Sequence, residues 1–140
     1  MVTRPIEFED HWEASLDDDV NRCYFDYQFT LLLLDTETEI VIEEPFVITG
    51  PEDSWTLDPA NPESMCPALS LLRKKVSTVV MEKVGTLRVN FSEGLQIVVN
   101  PNSEYEAWHV NLLEGWKFVA MPGGELAIWR PVDGSEAEDP

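Results

Sequence analysis

A mainly β fold is what this sequence predicts: a small antiparallel β-sandwich or partly open barrel, built from hairpins, with one short helix. Three observations carry that reading. Strand-length apolar or alternating runs recur along the chain, separated by turn residues. Few segments offer helical spacing, and only residues 64–75 combine a capping residue, an early proline and terminal cations. Gly85, Gly94, Gly115, Gly123 and Gly124 fall between β-rich runs, where hairpins need them.

Taken in order, Ile6-Glu7-Phe8-Glu9 alternates and is a candidate edge strand, and Leu16-Asp17-Asp18-Asp19 reads as a solvated turn. Val20–Phe25 reads as a strand and Asp26-Tyr27-Gln28 as a turn. Phe29–Leu34 is apolar on both faces, as expected of a strand covered from two sides. Asp35–Thr38 is a polar turn. A β-rich run over residues 39–48 is broken at Pro45, which cannot donate to a ladder and places this strand at an edge or a bend. Residues 50–62 read as a loop anchored by Trp55 and Leu57. The helix follows, with Ser64 as its cap, Pro67 in its first turn, Leu69 and Leu72 as its stripe, and Arg73, Lys74 and Lys75 at its C-terminal end.

Beyond it, residues 76–84 form a strand with Val76, Thr78, Val80, Glu82 and Val84 on one face. Leu87, Val89 and Phe91 point inward from the next, and Ser92-Glu93-Gly94 turns it back into residues 95–99. Three further strands are read over residues 104–111, 116–120 and 125–129, with Leu113-Glu114-Gly115 and Pro122-Gly123-Gly124 as turns. The hairpin opened by Thr30-Leu31 is weakly echoed by the one opened by Thr86-Leu87. Two such hairpins can pack as the halves of a sandwich. The organisation expected is an acidic segment over residues 1–19, a single β-rich domain over 20–130, and a disordered acidic tail over 131–140.

Charge sets the partners. The 140 residues hold 27 acidic and 9 basic side chains, a net charge of −18, well beyond the magnitude of roughly 2–8 usual for a small domain. From residue 20 to 72 the only cation is Arg22. Phosphates are repelled by such a surface, so nucleic acid is excluded as a partner, and the basic stretch Arg73–Arg88 is better explained by pairing with nearby acids. Five Trp, six Phe and three Tyr supply a core and argue against disorder. Cys23 and Cys66 lack metal or redox spacing and read as reduced thiols. No secretory leader is legible at the N-terminus, and no apolar run approaches the ~20 residues that span a bilayer. The expectation is a cytoplasmic protein without a membrane partner.

No segment carries a catalytic or cofactor signature. On a strand, Glu104, Glu106 and Trp108 would share one face and His109 the other, so these groups do not converge on a metal. Asp17-Asp18-Asp19 lacks the alternate spacing and central glycine of a calcium loop. His11 has no nucleophile nearby, and Gly123-Gly124 precedes a strand, not a phosphate-binding helix. No metal, cofactor or catalytic residue is assigned. The surface theme is instead an acid beside an aromatic: Glu7-Phe8, Trp12-Glu13, Asp26-Tyr27, Tyr105-Glu106.

Two motifs, Tyr105-Glu106-Ala107-Trp108 and Pro122-Gly123-Gly124-Glu125-Leu126-Ala127-Ile128-Trp129, resemble the ending of an uncharacterised family of small bacterial, mainly actinobacterial, proteins. Phe25–Leu31 is similar to that family's first strand pair. The resemblance covers residues 20–129 and implies one compact β-rich domain, with no activity or site residues attached.

A folded, motif-free and strongly anionic body points to a non-catalytic interaction module docking on a basic protein, as immunity proteins and antitoxins do on nucleases. The residues expected to meet that partner are Asp17, Asp18, Asp19, Glu43, Glu44, Trp55, Glu104, Glu106 and Trp108. The alternative is a small-ligand binder or enzyme using the mouth of the barrel, with Trp55, Trp108, Glu104 and Glu106 around the pocket.

Overall fold

The computed structural model describes residues 4–131, so the expected tail, apart from Pro131, lies outside the described residues. Twelve strands are seen among them: β1 (Ile6–Glu7), β2 (His11–Phe25), β3 (Phe29–Leu33), β4 (Glu39–Ile42), β5 (Phe46–Thr49), β6 (Ser54–Leu57), β7 (Lys75–Glu82), β8 (Leu87–Phe91), β9 (Gln96–Val99), β10 (Trp108–Asn111), β11 (Lys117–Ala120) and β12 (Leu126–Trp129). All pair antiparallel in one open sheet, ordered β12-β11-β10-β4-β3-β2-β7-β8-β9-β5-β6, with β1 added beside β2.

The long strand β2 divides this sheet into two wings. Residues 11–19 pair with β7, and residues 20–25 pair with β3. The switch happens at irregularities in both ladders, where Asp17 takes a positive φ of 49° and bends the strand. The wings therefore face each other, and their inner side chains form one core. Trp12 packs 5.7 Å from Trp116 and 5.4 Å from Phe118, and Phe29 stacks on Phe46 at 5.6 Å. The echoed hairpins, β3–β4 and β8–β9, do lie in opposite wings.

Several elements differ from the sequence reading. The expected boundary between residues 19 and 20 falls inside β2, and the expected turn at Asp17-Asp18-Asp19 is a strand bend with Asp18 buried. The 50–62 loop contains strand β6, because Pro51-Glu52-Asp53 closes a hairpin with β5. A bulge between Val76 and Thr78 shifts β7 by one residue, so Val76, Val79 and Met81 are buried rather than a strict alternate set. The helix is a run of 3-10 turns, Pro62–Leu71, with Asn61 at its start; Ser64 lies within it, accepting the Asp58 amide at 2.8 Å. Arg73 leaves the helix at a positive φ of 69°, and the cations after it pair with acids instead of capping helical carbonyls.

A second, closer echo emerges within the sheet. Leu87–Val99 and Trp108–Ala120 match position by position: Val89-Asn90 with Val110-Asn111, and Glu93-Gly94 with Glu114-Gly115. Both turns hold their glutamate in the left-handed region, with φ of 76° and 74°. Asparagine tolerates that conformation better than glutamate. Glu93→Asn and Glu114→Asn should each stabilise the fold by about 0.5 kcal/mol, read as a raised urea midpoint at constant slope.

Candidate functional site

Four loops meet at one end of the β2–β3–β4–β10–β11–β12 wing, because antiparallel strands return their turns to the same edge. They are the β2–β3 turn (26–28), the bend after β4 (43–45), the lead into β10 (100–107) and the β11–β12 turn (121–125). Backbone and side-chain bonds tie the last three together. The Glu43 amide donates to Ala107 O at 2.9 Å, and the Gly123 amide to Asn102 O at 2.8 Å. Asn102 is the hub: its Oδ1 accepts the Glu104 and Tyr105 amides at 2.6 and 3.1 Å, and its Nδ2 donates to Glu44 Oε1 at 2.9 Å.

The opposite wing is fastened to this end. Gly85 and Gly124 meet with positive φ of 107° and 99°, and a Cβ on Gly124 would run into the Val84 carbonyl oxygen. Only glycine fits both the conformation and the approach. Trp108 completes the joint, its Nε1 donating to Gly85 O at 2.8 Å.

These four loops hold six carboxylates, Asp26, Glu43, Glu44, Glu104, Glu106 and Glu125, and no Lys or Arg. Among the described residues, the Lys and Arg ion pairs are made elsewhere: Lys74 with Glu93, Lys75 with Asp17 and Asp19, Lys83 with Glu7, Arg88 with Glu82. At this end His109 Nδ1 lies 3.7 Å from Glu43 Oε2. Burial, aided by Lys117, lowers the His109 pKa against the pull of Glu43, Glu39 and Glu106. A histidine held below its usual value is neutral at pH 7 and offers Glu43 little countercharge. Tyr27 and Tyr105 stand among the acids, 78% and 64% exposed. The end is thus anionic and aromatic. Among the described residues, no three His, Cys, Asp or Glu side chains are placed to hold a metal ion.

The structure brings together four of the residues expected from sequence, Glu43, Glu44, Glu104 and Glu106, and separates the rest. The two last sit in an irregular segment, because the strand begins only at Trp108. Asp17 and Asp19 lie at the bend of β2, each 3.9 Å from Lys75. Asp18 is buried, and so is Trp108, so neither is offered to a partner in this conformation. Trp55 lies on β6, the edge of the other wing, beside a shallow depression of about 350 Å³ shared with Glu93 and Lys74. With Trp108 in the core and Trp55 on the far wing, the four residues expected around a barrel-mouth pocket do not surround one. Asp26, Tyr27, Tyr105 and Glu125 join the site although they are not among the residues expected to meet the partner. The signal was present for three of them, in the acid-beside-aromatic pairs Asp26-Tyr27 and Tyr105-Glu106.

A model of a family of unknown function, DUF6188, matches residues 12–130. The chain belongs to DUF6188. The match takes in all of β2 but its first residue and runs through β12, so the DUF6188 unit spans both wings and begins earlier than residue 20. No curated protein and no solved structure matches this DUF6188 chain.

Proposed function

We propose that this DUF6188 chain is a non-catalytic interaction module of the bacterial cytoplasm, actinobacterial by its Tyr105–Trp108 and Pro122–Trp129 motifs, which docks its acidic end on a basic protein. An immunity or antitoxin role is the form of that reading favoured here. The observation that supports it is the gathering of six carboxylates from four loops that themselves contain no Lys or Arg, on an aromatic-bearing edge. Gathering like charges costs self-repulsion, which a cationic partner relieves. The same field steers encounter, raising association rates toward ~10⁸ M⁻¹s⁻¹ at low salt.

The test is affinity capture from the native host with the full chain and with a variant carrying Glu43→Gln, Glu44→Gln, Glu104→Gln and Glu106→Gln. The full chain should retain a protein of high isoelectric point at low salt and release it as salt rises, and the variant should bind it about 10–100-fold more weakly. Retention of the same proteins by both chains at every salt concentration overturns the reading.

A further inference from the structure

Beside the acidic end, between the β2–β3 turn and the 3-10 helix, lies a cleft of about 330 Å³ lined by Phe25, Asp26, Tyr27, Pro59, Pro62 and Met65 among others. Its lining is apolar except for Asp26 and Gln28, and contains no Lys, Arg or His. Phe25 is 45% exposed, so the cleft presents aromatic surface to solvent rather than hiding it in the core.

Both walls are already ordered. On one side Asp26 Oδ1 accepts the Gln28 amide at 2.8 Å, and the Asp26 amide donates to Gln28 O at 3.1 Å. On the other, Asp58 Oδ1 accepts the Ala60 amide at 2.9 Å and the Asn61 amide donates to Asp58 O at 2.8 Å. Met65, nearly inaccessible, closes the floor. An occupant therefore meets a surface that loses little freedom on binding.

We infer that this cleft anchors a short cationic segment of the basic partner, seating one aliphatic or proline side chain against Phe25, Tyr27 and the two prolines while an adjacent Lys or Arg reaches Asp26. The inference rests on the docking function proposed above and adds to it the point of attachment. Charge selects the occupant. Asp26 lies within the cleft, Asp58 and Glu63 are chain neighbours of its prolines, and Glu43 follows directly on Ile42, the partner of Phe29 across the β3–β4 ladder. The chain's own C-terminal segment, with Asp133, Glu136, Glu138 and Asp139, has the wrong sign to fill it. Prolines and aromatic faces suit an extended peptide, whose backbone the side-chain carboxamide of Gln28 can meet.

The probe is a phage-displayed library of short random peptides, panned on the full chain and counter-panned on Tyr27→Ala. Tyr27 is so exposed that its loss leaves the fold intact, which circular dichroism and the thermal midpoint check. Enriched peptides should share a Lys or Arg next to Leu, Met or Pro. A synthetic representative should bind Tyr27→Ala about tenfold more weakly, lose affinity in Asp26→Asn and in high salt, and shift the amide resonances of residues 25–28 and 59–65. Enrichment of peptides without a basic residue, equal binding by Tyr27→Ala, or no enrichment at all overturns the cleft assignment. The two readings separate in host capture. A basic protein lost by the four-fold Glu→Gln variant yet held by Tyr27→Ala removes the cleft alone, whereas the absence of any basic partner removes both.

Discussion

Trp108→Ala should lower the unfolding free energy by about 4 kcal/mol, the cost of a large cavity where a fully buried aromatic stood. Two effects combine. The ring fills the space between the wings, and its Nε1 satisfies the carbonyl oxygen of Gly85, a residue that is itself pressed against Gly124. Trp108→Phe separates them, since it keeps most of the apolar volume and removes only the donor; a loss of about 1–2 kcal/mol is expected for the orphaned carbonyl and the smaller ring. Urea denaturation at constant slope measures both. A Trp108→Ala loss no larger than that of Trp108→Phe would mean that the joint between the wings does not depend on this side chain.

Asp18→Asn should cost about 3 kcal/mol, because a buried charge-assisted network loses its acceptor. Asp18 accepts the amides of Asp19 at 2.9 Å, Asp35 at 3.1 Å and Thr36 at 2.7 Å, and the Thr36 hydroxyl at 2.7 Å. That hydroxyl in turn meets Thr38 Oγ1 at 2.8 Å, so the carboxylate organises the whole β3–β4 turn. Asparagine would aim an N–H₂ at these donors. Burial raises the Asp18 pKa, but the bonds from Thr36, Asp35 and Asp19 outweigh it and hold the group below its ordinary value. A carboxyl lowered in the folded state contributes stability that is complete above its unfolded value, about 3.9, and is lost as pH falls through the folded value. The wild type should therefore lose stability in acid along a steeper course than Asp18→Asn. Parallel pH profiles for the two proteins would remove Asp18 from that role.

The fold class was legible because hairpins leave local marks. Leu87, Val89 and Phe91 alternate as a half-buried strand must, and Gly94, Gly115 and Gly123 sit where positive φ is needed. What sequence hid was set by distant partners. Asp17-Asp18-Asp19 looks like a solvated turn until Asp35 and Thr36, in the turn after β3, supply donors for the middle residue. The bulge at Ser77 answers to the paired ladders of β2 and β8, not to its own neighbours. The site followed the same rule. Glu43, Glu44, Glu104 and Glu106 were readable as acids in turns, but their meeting depends on β4 pairing with β10 across more than sixty residues of chain. A strand running from Glu104 would put Trp108 on the face of Glu106, but β10 begins at Trp108, and Ala107 and Trp108 are both buried.

Strand β2 runs through both wings, and each wing covers the other's apolar face, so neither half can open without exposing the core they share. The molecule should therefore unfold as a single cooperative unit despite its divided sheet. Its slowest-exchanging amides in β3 and in β7, on either side of that strand, should report the same opening free energy. A patch at one end of such a body is held to fixed spacing by the far wing as much as by its own loops.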